Sequence, residues 1–193
     1  VAAIVAGSIR ARDILKIKRE TFVSNWGPAK ASLFAAVDFV RSELCIPVSQ
    51  LLPYPAVLVP LLYFFYKTKN KKPSPVQVRL LEQYFYWVGV TMRYSSALES
   101  KVADDLKKMN DITKEKLPRY PASELSVSGD TIRETWFSTG NAFCKAVLCL
   151  FASQKPKSFD TGGDVILDNS NLKIASSRNY HHFFPRDYLS KHE

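Results

Sequence analysis

The chain contains three histidines, all within residues 181–193, and two of them, His181 and His182, are adjacent. An imidazole can serve as a base, an acid or a metal ligand near neutral pH. Neighbouring residues of a regular strand point to opposite faces, so both rings could face one substrate only at a kink, a bulge or the start of a turn. Pro185 follows the pair and keeps the residue before it extended. This spacing indicates a functional site near the end of the sequence.

The paired histidines could take part in several kinds of chemistry. A nucleophilic triad fits poorly, because no serine or cysteine lies in a nucleophile-elbow motif. A zinc site needs three or four ligands, and His181, His182 and His192 with a distant cysteine would form an irregular set. In metal-assisted hydrolysis of a phosphodiester, one imidazole would bind a divalent ion and its neighbour would deprotonate the attacking water. The structural alternative is that the aromatic neighbours pack while the histidines bond to the backbone.

Composition places the chain among ordinary soluble globular proteins, with 193 residues, 46% hydrophobic and 23% charged. Cys45, Cys144 and Cys149 are odd in number and lack metal-binding spacing, which predicts reduced thiols in a cytosolic protein. The start at Val1 resembles the middle of a helix rather than a signal peptide. We therefore expect both ends to be cut from a longer protein.

The net charge of +9 suits a polyanionic partner such as nucleic acid. Much of the positive charge lies in the first 30 residues and in residues 67–72, which hold four lysines and no acid. The last forty residues are nearly balanced. Two interpretations of the lysines in 67–72 remain open, a solvated linker and a contact with phosphates.

Residues 1–154 have the patterns of a helical domain. Pro28 is expected in the first turn of a helix that runs to about Cys45, with Leu33 and Phe34 on its apolar stripe. Residues 51–66 lack charge but are too short and too rich in proline for a membrane span, which predicts a buried core helix after a proline-shaped entry.

Two further helices are predicted around a turn near residues 93–96. Ser74 has the properties of an N-cap with Pro75 at the first helical position, and an apolar stripe then runs to Met92. The next helix begins at Ser96, and most of its charged residues, Asp105 among them, are expected outside. A last helix is predicted from residue 139 to 153.

After residue 154 the pattern changes to short strands and turns. Gly162-Gly163 is a turn signal, and Val165-Ile166-Leu167 has the character of a short strand. The sequence thus predicts a mainly α fold, a helical bundle over 1–154 followed by a small strand-and-turn module over 155–193.

The sequence Tyr180-His181-His182-Phe183-Phe184-Pro185-Arg186, with Leu189 after it, resembles the start of the HNH-type nuclease domain of GmrSD-like, modification-dependent (type IV) restriction endonucleases. The helical part is similar to the same family at Arg93-Tyr94-Ser95-Ser96 and Asp104-Asp105-Leu106. The resemblance is strongest over 178–189, moderate over 84–109 and weak elsewhere. For Arg93 and Tyr94 themselves, a structural turn and a DNA contact are both open.

The resemblance implies a DNA endonuclease of a phage-defence system in the cytoplasm of a bacterium or archaeon. It makes His182 the general base and His181 a ligand of a divalent metal such as Mg²⁺, within a partial ββα-metal module. Nucleotide binding would belong only to an amino-terminal half that this chain lacks, so no residue here is assigned to it. We also expect DNA as partner and no membrane, and a homo-oligomer is a candidate assembly.

The family pattern also requires a helix after the hairpin with further metal ligands, which this sequence does not supply. We therefore expect the isolated chain to be inactive. A non-catalytic helical module that binds nucleic acid or protein, with only a relic of the hairpin, is the alternative function.

Overall fold

A computed structural model of the chain describes residues 1–46, 49–121, 127–136, 138, 140–164 and 191. This part is mainly α, as predicted, and is 66% helical. Its eight α-helices are α1 Ala2–Ala6, α2 Ala11–Ile14, α3 Arg19–Ser42, α4 Leu58–Lys67, α5 Pro75–Val90, α6 Leu98–Thr113, α7 Gly129–Glu134 and α8 Ala142–Ser153. Short 3-10 turns cover Ser49–Leu51, Pro55–Val57 and Arg93–Ser95.

The expected strand-and-turn module is described only at its beginning. A single antiparallel bridge joins Lys157 to Asp164. The predicted strand Val165-Ile166-Leu167 lies outside the described residues. The division of the chain at residue 154 therefore stays a prediction.

Helix α4 lies at the centre of the core, where it packs against both α3 and α6. Its Leu61 and Phe64 have no exposed surface, and Phe65 is 3% exposed. Burying one such side chain stabilises the fold by about 1.5–3 kcal/mol relative to leaving it in water. The prediction of a buried helix after a proline-shaped entry is confirmed, since Pro55 begins the 3-10 turn that leads into α4.

The predicted helix start at Pro28 is wrong, because Pro28 lies inside α3, which begins at Arg19. A proline within a helix removes one backbone hydrogen bond. The turns on either side are held by side chains, because Asn25 Nδ2 donates to the Thr21 carbonyl at 2.8 Å and Ser32 Oγ donates to the Pro28 carbonyl at 2.9 Å. Proline is common in the first turn of a helix but is not confined to it, so Pro28 does not mark the start of α3.

The buried face of α3 also differs from the predicted stripe. Leu33 and Phe34 are 38% and 56% exposed. The buried positions are Ala29, Ser32, Ala36, Phe39 and Val40. Most of these side chains are small, which lets the backbones of α3 and α4 approach closely.

Helices α5 and α6 are consecutive helices joined by the turn at Arg93–Ser95. The predicted cap of α5 is confirmed, since Ser74 accepts from the Gln77 backbone and the Gln77 side chain accepts from the Ser74 backbone. This capping box satisfies two amide groups at the helix start. Met92, expected on the apolar stripe, is 45% exposed because α5 ends at Val90 and the chain turns there.

Helix α8 packs against α5 at a point where only glycine fits. A Cβ placed on Gly89 would lie 2.5 Å from the Ala146 Cβ and 3.1 Å from the Pro53 Cγ. The predicted helix over 139–153 is confirmed with a later start, after Asn141, whose side chain accepts from the Phe143 amide.

None of the helices described is long and apolar enough to cross a membrane. The three cysteines are free, in agreement with the prediction of reduced thiols. Cys149 is buried and its Sγ donates to the Leu51 carbonyl at 3.1 Å. Burial raises the pKa of this thiol to about 12, so Cys149 is a packing residue rather than a nucleophile.

Gly89→Ala is expected to lower the free energy of unfolding by about 1–3 kcal/mol, because the overlap with Ala146 outweighs the gain in helix propensity. Removing the opposing methyl group in Gly89→Ala/Ala146→Gly should recover part of the loss, measured against Ala146→Gly alone by urea denaturation. Gly129→Ala is the matched control, because a Cβ there meets nothing within 4 Å. Equal losses at positions 89 and 129 would contradict the proposed close contact.

Candidate functional site

The predicted site residues His181 and His182 lie outside the described residues, as does His192 of the alternative zinc set. Within the part that the structure describes, no group of three or more His, Cys, Asp or Glu side chains is placed to hold a metal ion. The roles of His181 and His182 therefore stay predictions. The structure shows two other polar features, a buried carboxylate and a loop of lysines.

The buried carboxylate belongs to Asp105, which has no exposed surface. Arg93 donates from Nε to both carboxylate oxygens at 3.0 Å, and its Nη2 lies 2.9 Å from Oδ1. The hydroxyl groups of Tyr94 and Tyr84 donate to Oδ2 at 2.7 and 3.1 Å, and Lys108 Nζ lies 3.3 Å from Oδ1. We call these five residues the Asp105 cluster. Every lone pair of the carboxylate thus faces a donor.

The cations of the Asp105 cluster also lie over an indole ring. The Arg93 guanidinium carbon is 4.3 Å from the centre of the Trp87 ring, and Lys108 Nζ is 5.1 Å from it. Cation–π attraction of this kind is worth about 0.5–2 kcal/mol, more when the cation is desolvated. The ring therefore helps to offset the second buried positive charge, which one carboxylate cannot neutralise.

Three elements supply the Asp105 cluster, and the turn between them is strained. Tyr84 comes from α5, as does the neighbouring Trp87 ring, Arg93 and Tyr94 come from the turn, and Asp105 and Lys108 come from α6. Two residues that flank the turn, at positions 92 and 97, have left-handed φ of 46° and 52° although neither is glycine. Each such conformation costs about 1–2 kcal/mol. The bonds to Asp105 offset that cost and hold the turn in place.

The electrostatics of the Asp105 cluster keep its tyrosines neutral. Burial and the negative charge of Asp105 raise the pKa of Tyr94 and Tyr84 well above the ordinary value of 10. The carboxylate is fully enclosed, so a substrate cannot reach it for proton transfer. The chemistry available here is charge pairing within the fold.

Arg93 is 6% exposed, which favours the structural interpretation of this residue over a DNA contact. The expectation that Asp105 lies outside is wrong. A signal for its burial exists in the sequence, because Asp105 follows Val102 by three residues and precedes Met109 by four, on the apolar face of α6.

The second polar feature is residues 67–73, which we call the lysine loop. Its first half ends α4 in a Schellman motif, with the Asn70 amide bonded to the Phe65 carbonyl at 2.7 Å and the Lys69 amide to the Tyr66 carbonyl at 3.1 Å. Lys69 and Asn70 have left-handed φ of 55° and 56°. The backbone of this half is therefore fixed by hydrogen bonds, unlike that of a solvated linker.

The residues that follow the lysine loop are bonded to the end of α6 and to the residues just after it. Gln77 Nε2 donates to the Thr113 carbonyl at 3.2 Å, and Ser74 Oγ donates to Glu115 at 2.6 Å. These bonds fix the start of α5 beside the end of α6. The lysine loop therefore lies between two hydrogen-bonded segments, the end of α4 and the start of α5.

Two grooves lie beside the lysine loop. The first has a volume of about 540 Å³ and is lined by Lys67, Thr68, Lys69, Lys71, Lys72, Ser74, Gln77 and Thr113. The second has a volume of about 440 Å³ and is lined by Pro28, Ser32, Tyr66, Lys67, Lys69 and Asn70. Lys67 and Lys69 line both grooves, so the two form one continuous basic surface.

No family model matches the chain, and neither does any curated protein or solved structure that it was compared with.

Asp105→Ala is expected to lower the free energy of unfolding by about 3–5 kcal/mol, because it leaves the buried Arg93 and the partly exposed Lys108 without their counter-charge. The adjacent Asp104→Ala is the control. Asp104 pairs only with the exposed Lys107, and surface pairs of this type contribute about 0–1 kcal/mol. Urea denaturation followed by circular dichroism measures both variants. Similar losses for the two would show that the Asp105 cluster does not stabilise the turn.

The free energy of unfolding is expected to fall as the pH rises above about 10, the ordinary pKa of tyrosine. Because folding raises the pKa of Tyr84 and Tyr94, the unfolded chain releases these protons first. The stability from the neutral hydroxyls is therefore fully present below pH 10 and decreases by up to about 1.4 kcal/mol per pH unit per tyrosine above it. Tyr84→Phe and Tyr94→Phe should each show a shallower alkaline slope in urea titrations. Slopes equal to that of the parent would contradict the assigned pKa shifts.

Proposed function

We propose that the chain is part of a metal-dependent DNA endonuclease in which residues 155–193 begin the nuclease module. The observation that carries the proposal is the sequence Tyr180-His181-His182-Phe183-Phe184-Pro185-Arg186. In the family that this sequence resembles, one imidazole of the pair is assigned to a metal and the other to the activation of water. The proposal places the protein in modification-dependent restriction and phage defence.

In the proposed reaction His182 accepts a proton from the water that attacks a phosphodiester. A divalent ion such as Mg²⁺, held in part by His181, would stabilise negative charge on the phosphate. His181 is the one metal ligand assigned. Among the described residues none is assigned a catalytic role.

The helical part supports the proposal in two ways. The segments around Arg93 and Asp105, which carry the resemblance in this part, form one connected cluster rather than separate surface motifs. The lysine loop adds a basic surface suited to a polyanion. We infer that this part holds DNA for the nuclease module.

A second candidate function is a helical nucleic-acid-binding module without catalysis. The observation in its favour is that the basic grooves lie within residues 28–113 and need none of the histidines. Binding of DNA without any metal-dependent cleavage would favour this candidate over the first.

His182→Ala in the full-length natural protein is expected to lower the rate of Mg²⁺-dependent nicking of supercoiled phage DNA by about 10²–10⁴-fold, the contribution of a general base. His181→Ala should lower the rate and raise the Mg²⁺ concentration needed for half-maximal activity. EDTA should abolish nicking by every variant.

His192→Ala is the matched control, because it removes the third histidine without touching the pair. It should leave the rate unchanged if the pair acts as proposed, and should abolish activity if all three histidines bind zinc. Nicking by His182→Ala at the parent rate would refute the role of His182.

A further inference from the structure

The lysine loop presents four charges that no carboxylate of the described residues neutralises. Lys67, Lys69, Lys71 and Lys72 are all exposed. None of the salt bridges found in the described part includes them. Residues 67–72 hold four lysines and no acidic residue, so positive charge is concentrated at the loop.

Lys69 has a backbone conformation that a glycine would adopt at lower cost. It occupies the left-handed position after α4, with φ of 55°, where glycine has no Cβ penalty. A lysine at this position costs stability and adds a cation to both grooves. Residues held in unfavourable backbone conformations concentrate at functional sites.

The polar side chains beside the lysines match the chemistry of a sugar–phosphate backbone. Asn70 lines the second groove beside the cations, and Thr68 and Gln77 line the first, where both side chains donate to main-chain carbonyls of the protein. Amide and cationic groups are among the side chains that contact phosphates and sugars in nucleic-acid complexes.

We propose that the lysine loop and its two grooves bind the phosphate backbone of DNA. The phosphates would lie along both grooves, with Lys67 and Lys69 between them and Lys71 and Lys72 on the α5 side. Contacts of this kind are independent of base sequence. The proposal rests on the proposed function for the choice of DNA as the polyanion, and it assigns the surface that holds the substrate.

The test compares two variants of the full-length natural protein that lose the same total charge. The loop variant carries Lys67→Gln, Lys69→Gln, Lys71→Gln and Lys72→Gln. The control carries Arg12→Gln, Lys107→Gln, Arg133→Gln and Lys157→Gln, at exposed cations that already have acidic partners. Fluorescence anisotropy with a labelled DNA duplex measures affinity in Mg²⁺-free buffer over a range of NaCl concentrations.

The loop variant is expected to bind at least about 100-fold more weakly at low salt, and the slope of log affinity against log salt should fall by about 3–4. The control should keep its salt slope and change affinity by less than about threefold, because its cations contribute little net charge locally. Equal losses in the two variants would show that only total charge matters and would overturn the proposal.

A single variant separates binding from folding. Lys69→Gly relieves the left-handed backbone, so its melting temperature should rise while its DNA affinity falls by about tenfold at low salt. Unchanged affinity in this variant would contradict the role of Lys69.

Two further measurements separate DNA binding by the lysine loop from the nuclease proposal and from binding to a lipid surface. His182→Ala should bind the duplex as tightly as the parent, so loss of nicking with intact binding isolates the catalytic proposal. If the parent protein itself binds the duplex but shows no nicking with Mg²⁺, the nuclease proposal is rejected and the DNA surface is kept. Preferential binding of the loop to anionic phosphatidylserine vesicles instead of DNA would overturn the assignment of DNA.

Discussion

The described structure depends most on the carboxylate of Asp105. An ionised carboxylate without partners costs several kcal/mol in a protein interior, so Arg93, Lys108 and two tyrosine hydroxyls must be in place together. Their bonds fix α5, the turn and α6 relative to one another. Since α6 also packs on the central α4, this single charge constrains most of the core.

The same pair of helices connects the buried charge to the surface lysines. The Asp105 cluster lies near the turn, whereas Ser74, Gln77 and Thr113 meet where α5 begins and α6 ends. A 16-residue helix is about 24 Å long. A change in how α5 and α6 pack at the turn would therefore displace Ser74, Gln77 and Thr113 at the far end of the two helices. The turn therefore helps to hold the first groove, which Ser74, Gln77 and Thr113 line.

Local chemistry predicted some elements well, and tertiary contacts decided the others. Ser74 and Pro75 mark the start of α5 because a cap and a proline act within one turn. The start of α3 could not be read from Pro28, because side-chain bonds and packing on α4 sustain the helix on both sides of it. The charge of Asp105 predicts exposure, but its position on the apolar face of α6 decides its burial. Its partner Arg93 lies in the turn before α6. The hydrophobic periodicity of one helix does not indicate a contact with a residue outside that helix.

Stability and charge make opposite demands on the residue at position 69. After α4 the backbone favours glycine, yet the chain has a lysine there, in a loop of four lysines that lack acidic partners. A solvated linker does not need the Schellman motif that fixes this backbone after α4. A backbone that is already held loses less conformational entropy when the loop binds a partner. The lysine loop thus differs in its backbone from a solvated linker, and its contact with phosphates stays a proposal.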